Sequence, residues 1–222
     1  MGYGIKRIGN GVRVHNPSPN YTLIVEFDKD KVQIKNIDIR FSLDIGGPEQ
    51  MVVYERGLSD YLLNFGYFRM DPNFQYLEVG AGLGGFIPFL VNESSQRPVS
   101  KPIVIDPANY LLMSQMLEYA KGLDLDAEIN EYLDKLMGRA QTILDPQKVH
   151  LVNMKLGEAL ESKPELRGVA DVVIDLYGPA NYPWTEISGQ QGIDNEGLAK
   201  RVIEMEKELL KPNGLHLVKS DL

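Results

Sequence analysis

The chain has 222 residues, with 23 basic and 31 acidic side chains, a formal net charge of −8 and no cysteine. That length holds one full-sized domain or a domain with a small appendage, and the lack of cysteine excludes a disulfide framework, a thiolate zinc site and a cysteine nucleophile. Three widely spaced histidines (His15, His150, His216) offer no metal centre, and the apolar runs fall short of the ~20 residues a membrane span needs.

Tyr21–Asp28 and Lys31–Ile37 are rich in β-branched and aromatic residues, and Val32 and Ile34 alternate with Lys31, Gln33 and Lys35. Period two marks a half-buried strand. With Ile39–Leu43 these segments predict a small antiparallel β element over residues 11–44. Gly46-Gly47-Pro48 then breaks the chain. Met51, Tyr54, Leu58, Tyr61, Leu62 and Phe65 follow at helical spacing, with Gly66 as a C-terminal cap. Residues 1–70 are therefore expected to form an N-terminal β extension plus a helix.

Residues 71–222 read as alternating strand and helix. Gln75–Val79, Pro102–Asp106, Val149–Asn153, Ala170–Leu176 and Gly214–Lys219 are the predicted strands, short and mostly apolar as strands buried on both faces should be. An apolar stretch, Phe86–Val91, follows the first of them. Helices are predicted over Tyr110–Lys121, Asp126–Leu144 and Asn195–Leu210, the last with Asp194 as N-cap. This order implies an α/β fold: a doubly wound, mostly parallel sheet with helices on both faces.

The segment Glu78-Val79-Gly80-Ala81-Gly82-Leu83-Gly84-Gly85 runs from a strand through closely spaced glycines into a helix. Glycines let the backbone turn tightly and let a ligand approach closely. Gly80, Gly82 and Gly85 fit the dinucleotide fingerprint G-x-G-x-x-G, whereas Glu78 argues against a nearby pyrophosphate, because both would be negative in a poorly screened site. A carboxylate there suits a ligand with an ammonium group.

In these residues the chain resembles the class I (Rossmann-like) S-adenosylmethionine-dependent methyltransferases, over roughly residues 73–220. The stretch from Glu78 to Gly84 is similar to the family's first motif, whose glycine loop lies under the methionine part of the cofactor. Asp106, followed by Pro107, matches the acid that holds the ribose hydroxyls, although Asp-Pro also starts ordinary turns. Gly157 and Glu158 stand where the family contacts adenine; alternatively Glu158 is a solvated first-turn helix residue. Asp175, opening Asp175-Leu176-Tyr177-Gly178-Pro179, stands where the family's fourth-strand motif borders the transferred methyl group, and the resemblance makes it the candidate catalytic carboxylate. Leu209-Leu210-Lys211-Pro212-Asn213-Gly214 looks like the turn before the family's fifth strand. Tyr177, Tyr182 and Trp184 form an aromatic wall for the acceptor or else cover the sheet edge.

The resemblance implies methyl transfer from S-adenosyl-L-methionine to an acceptor, with no metal. A net charge of −8 argues against wide, non-specific duplex binding and favours a small molecule over nucleic acid as that acceptor, with protein and RNA oxygen acceptors left open. The first residues lack a secretory apolar core, so a cytoplasmic location is expected. The family's closing antiparallel pair is missing after the fifth strand unless the early β element of residues 11–44 replaces it, and an edge left open would suit a homodimer. Two other functions fit less of the pattern: a non-catalytic, methyltransferase-like binding module, and an NAD(P)-dependent oxidoreductase.

Overall fold

The computed structural model describes residues 71–92, 100–122, 127–176, 178–183, 186–187 and 194–218, together with the backbone of five strands between residues 4 and 46. Those strands are β1 (Gly4–Ile8), β2 (Gly11–His15), β3 (Thr22–Asp28), β4 (Lys31–Asn36) and β5 (Phe41–Gly46), each antiparallel to the one before. The predicted helix over Met51–Phe65 lies outside the described residues.

A second sheet contains β6 (Tyr76–Val79), β7 (Ile103–Ile105), β8 (His150–Val152), β9 (Ala170–Asp175) and β10 (Leu210–Val218). All of its pairings are parallel, in the order β10-β9-β6-β7-β8. The chain steps outward from β6 to β8, then returns to the other side of β6 for β9 and β10. Five helices are described with it: α1 (Phe86–Asn92), α2 (Tyr110–Lys121), α3 (Ala127–Leu144), α4 (Leu156–Ser162) and α5 (Asn195–Lys207). The fold is α/β, with a five-stranded parallel sheet.

Strand composition explains the layering. Every residue of β6 and β7 is buried, and successive side chains enter different cores. Leu77, Val79, Ile103, Ile105 and Val173 pack with Leu156, Leu160 and Val202 from α4 and α5. Tyr76, Val104, Val172 and Ile174 pack with Phe86, Ile87 and Leu90 of α1. The period of two thus assigns one apolar set to each face. Asp194 caps α5 as its sequence position predicts, its carboxylate accepting from Gly197 N at 2.8 Å.

The last strand differs from its predicted bounds. Leu210 already pairs with Ala170, and the register then shifts, so that residues 211–214 bulge out before Leu215 pairs with Val172. Asn213 takes a positive φ of 66° in this bulge, a conformation asparagine tolerates better than most residues. Lys211 is drawn to Asp171 at 2.6 Å, and the same carboxylate oxygen accepts from Gln75 N at 2.7 Å. The helix before it correspondingly ends at Lys207 rather than Leu210.

Candidate functional site

The carboxyl ends of β6, β7, β8 and β9 carry the residues singled out by sequence. Gly80 and Gly82 have φ of 67° and 50°, so the turn after β6 uses left-handed backbone at two of its glycines. Gly85 is needed for a different reason: a Cβ there would lie 2.6 Å from Ala81 O and 2.8 Å from Glu78 Oε1. Gly80 N donates to Ile105 O at 2.9 Å, which ties the turn to the end of β7.

Glu78 acts from behind this turn. Its Oε1 accepts from Phe86 N at 2.8 Å and its Oε2 from Ile87 N at 2.7 Å, so the carboxylate caps α1 from eight and nine residues upstream. The sequence suggests a ligand ammonium as its partner; the structure gives it two backbone N–H groups that would otherwise be buried unpaired. Burial pushes the carboxyl up to about 8, against the pull of those two donors, with Asp175 and Asp106 adding repulsion.

Asp106 follows directly on β7. Its Oδ2 accepts from Gly82 N at 2.8 Å and from the Tyr110 hydroxyl at 2.7 Å, and its Oδ1 accepts from Ala108 N at 2.7 Å. Burial raises its carboxyl and these three donors lower it. Asn153, at the end of β8, holds the same segment by donating to Asp106 O and Ala108 O at 2.8 and 2.7 Å. Pro107 is half-buried and Ala81 buried.

Asp175 ends β9 with no exposed surface. Oδ1 accepts from Gly178 N at 2.6 Å and from Asn181 Nδ2 at 3.2 Å; Oδ2 accepts from Ala180 N at 2.7 Å. The acid therefore shapes the turn that follows it. Gly178 packs its backbone against the glycine turn, where a Cβ on Gly80 would lie 2.4 Å from Gly178 Cα.

Glycine turn, Asp106 and Asp175 are thus brought together, and Glu78 feels the charge of both acids. Gly157 lies in the first turn of α4, where its N–H meets Glu186 Oε2 at 3.4 Å, and Glu186 feels Asp106 in turn. Glu158 is exposed on the same turn. Tyr182 is half-buried, whereas Tyr177 and Trp184 lie outside the described residues.

Sequence reasoning missed three participants. Tyr110 is buried with its hydroxyl on Asp106 and 3.3 Å from Gly82 O; its position four residues after the acid, at a helix start, was the available signal. Arg139, fully buried on α3, donates from Nη1 to Leu83 O at 3.2 Å and so supports the glycine turn from below. Glu186 became visible only through its contact with α4. Among the described residues, no group of three or more histidines and carboxylates is placed to hold a metal ion, and no helix is long and apolar enough to cross a membrane.

These buried acids set a pH dependence for stability. Burial raises Glu78 to about 8 and Glu206, on α5, to about 7, from ordinary values of 4.5. Below about pH 4.5 folded and unfolded chains both hold these protons; between there and pH 7–8 only the folded chain does. Each proton held only by the folded chain makes stability fall with rising pH, by up to about 1.4 kcal/mol per pH unit. His150, mostly exposed and lowered by partial burial, pulls weakly the other way below its ordinary 6.5. Thermal melts are expected to give a lower Tm at pH 8.5 than at pH 5.5. A Tm that climbs over this range would mean that the acids stay ionised in the folded chain.

No protein-family model, curated protein or solved structure matches this chain.

Proposed function

We propose that the chain is an S-adenosylmethionine-dependent methyltransferase built on a Rossmann-like, doubly wound sheet. The observation that carries this reading is the hydrogen bond from Gly82 N to Asp106 Oδ2. It joins the acid after β7 to the glycine turn after β6, and β6 borders the reversal of strand order, between β6 and β9, where open α/β sheets take ligands.

The residues present fit such a cofactor. A ribose offers two neighbouring hydroxyls, and an ionised carboxylate has about four lone-pair positions, three of which hold chain donors here; release of the Tyr110 hydroxyl frees a second. Sulfonium and ammonium groups are cations, and one placed beside Glu78, Asp106 and Asp175 would favour the ionised form of carboxyls that burial holds up in the unliganded chain. By resemblance, Gly80, Ala81, Gly82 and Gly84 serve the methionine part, Asp106 and Pro107 the ribose, and Gly157 and Glu158 the adenine.

When bound, the cofactor supplies an activated methyl group. The chain's own work is to orient the acceptor in line with it and to keep water out. Asp175 contributes by holding the 178–181 turn; taking the acceptor's proton itself would require the turn to release one of its oxygens. Tyr177, Tyr182 and Trp184 are the candidates for the acceptor side, and a small molecule suits an acidic chain better than a phosphate backbone.

Calorimetry with S-adenosylhomocysteine is expected to show binding to the native chain and at least about tenfold weaker binding to Asp106→Ala, the loss of one charge-assisted contact set. Binding of NAD with no response to adenosylhomocysteine would overturn this reading in favour of an oxidoreductase. Adenosylhomocysteine binding without transfer of labelled methyl groups to any extract component would assign a non-catalytic binding module.

A further inference from the structure

Asp175 belongs to a larger buried set. Glu206, near the end of α5, is fully buried, and its Oε2 lies 2.8 Å from His216 Nε2 on β10. Its carboxyl neighbours that of Asp175 closely enough for each to shift the other, and its Oε1 has no hydrogen-bond partner among the described residues. His216 sits in the strand beside β9, paired with Val173, and is only slightly exposed. Among the described residues, charged groups facing the set include Glu186, which repels Glu206, and Glu78, which feels Asp175 from the end of β6. Glu186 itself is flanked by Lys155 and Asp106.

Two carboxyls in contact inside a fold do not both ionise cheaply, and an imidazole at hydrogen-bond distance offers the proton a third seat. We propose that Asp175, Glu206 and His216 share one proton, and that Glu206 and His216 are positioning residues acting through Asp175 on the 178–181 turn. Asp175 accepts from three donors, yet Glu206 raises its carboxyl by charge and by hydrogen bonding while Asp175 lowers that of Glu206, so the proton rests on the Asp175 side of the pair. Burial raises both carboxyls, which keeps that proton in place around neutrality.

Loss of the proton leaves two adjacent anions, and their separation moves the turn, because Gly178 N lies 2.6 Å from Asp175 Oδ1. The turn has no slack against its neighbours: a Cβ on Gly178 would lie 2.3 Å from Val79 O. Movement there is transmitted to Gly80. The shared proton is a property of the unliganded chain; only its effect on cofactor affinity rests on the methyl-transfer reading.

The test is an NMR titration of the full unliganded chain from pH 5.5 to 9. The amides of Gly178 and Ala180 and the ring C–H of His216 are expected to shift with a common midpoint. In Glu206→Gln the two amides become flat and His216 titrates nearer its ordinary value of ~6.5; in His216→Gln the amides still titrate, with a displaced midpoint. Flat amides in the native chain, or amides that titrate alike in Glu206→Gln and the native chain, would overturn the proposal without requiring any variant to be fully stable. Calorimetry adds the functional arm: between pH 6 and 8.5 adenosylhomocysteine affinity is expected to change at least about threefold more in the native chain than in Glu206→Gln, where Glu78 still titrates. Equal pH profiles there would overturn the positioning role, whereas no adenosylhomocysteine binding at any pH would overturn the methyl-transfer reading and leave the shared proton to be decided by the amides.

Discussion

Glu78→Ala is expected to destabilise the fold by about 3–5 kcal/mol, seen as a Tm lower by roughly 10 °C. The carboxylate is buried and supplies the acceptors for Phe86 N and Ile87 N at the start of α1. Truncation leaves both N–H groups without a partner and opens a void beside the glycine turn, and the two penalties add. Glu78→Gln keeps the volume and one acceptor oxygen but turns an NH2 group toward the second N–H. Its loss is expected to be smaller, about 1–2 kcal/mol. Glu78→Gln should also flatten part of the pH dependence of the Tm, since its proton is one that only the folded chain retains. A stable Glu78→Ala chain that has merely lost its ligand would reverse the assignment and make Glu78 a ligand contact rather than a cap.

Gly80→Ala is the second large effect, with a loss of more than about 4 kcal/mol or failure to fold. The φ of 67° alone costs an L side chain roughly 1–2 kcal/mol. The new Cβ would also lie 2.4 Å from Gly178 Cα, and that neighbour is backbone, which cannot rotate away. Gly84 lies in the same turn without a positive φ, so Gly84→Ala is spared the left-handed strain and is expected to lose less than Gly80→Ala. Urea unfolding of the pair separates the two glycines directly. Equal losses would mean that the turn demands flexibility in general, not left-handed backbone at Gly80.

The strands were legible because burial on both faces leaves a compact signature: Ile103, Val104 and Ile105 are all apolar and all buried. The glycine turn, Asp106 and Asp175 were legible for a related reason, since polar or flexible residues at the ends of such strands stand out. What sequence could not convey was direction. Glu78 stood out as an acid at the end of a buried strand but not as the cap of α1, because its partners are eight and nine residues downstream, and only a folded helix start turns their N–H groups back toward it. Glu206 reads as one more polar helix position among Glu204, Lys207 and Glu208, yet it is the buried one. The start of β10 was misplaced because Lys211-Pro212-Asn213-Gly214 has turn chemistry, and a bulge inside a strand uses the same residues as a turn before one.

The buried guanidinium of Arg139 gives the long excursion between β7 and β8 a purpose beyond connecting two strands. It extends from α3 to the carbonyl of Leu83, so the floor of the glycine turn is furnished by a segment more than fifty residues downstream. A shortened chain that joined β7 to β8 through a single helix would keep the sheet and lose that floor. The excursion behaves like the foundation of the turn, and its length should be as hard to trim as the glycines are to replace.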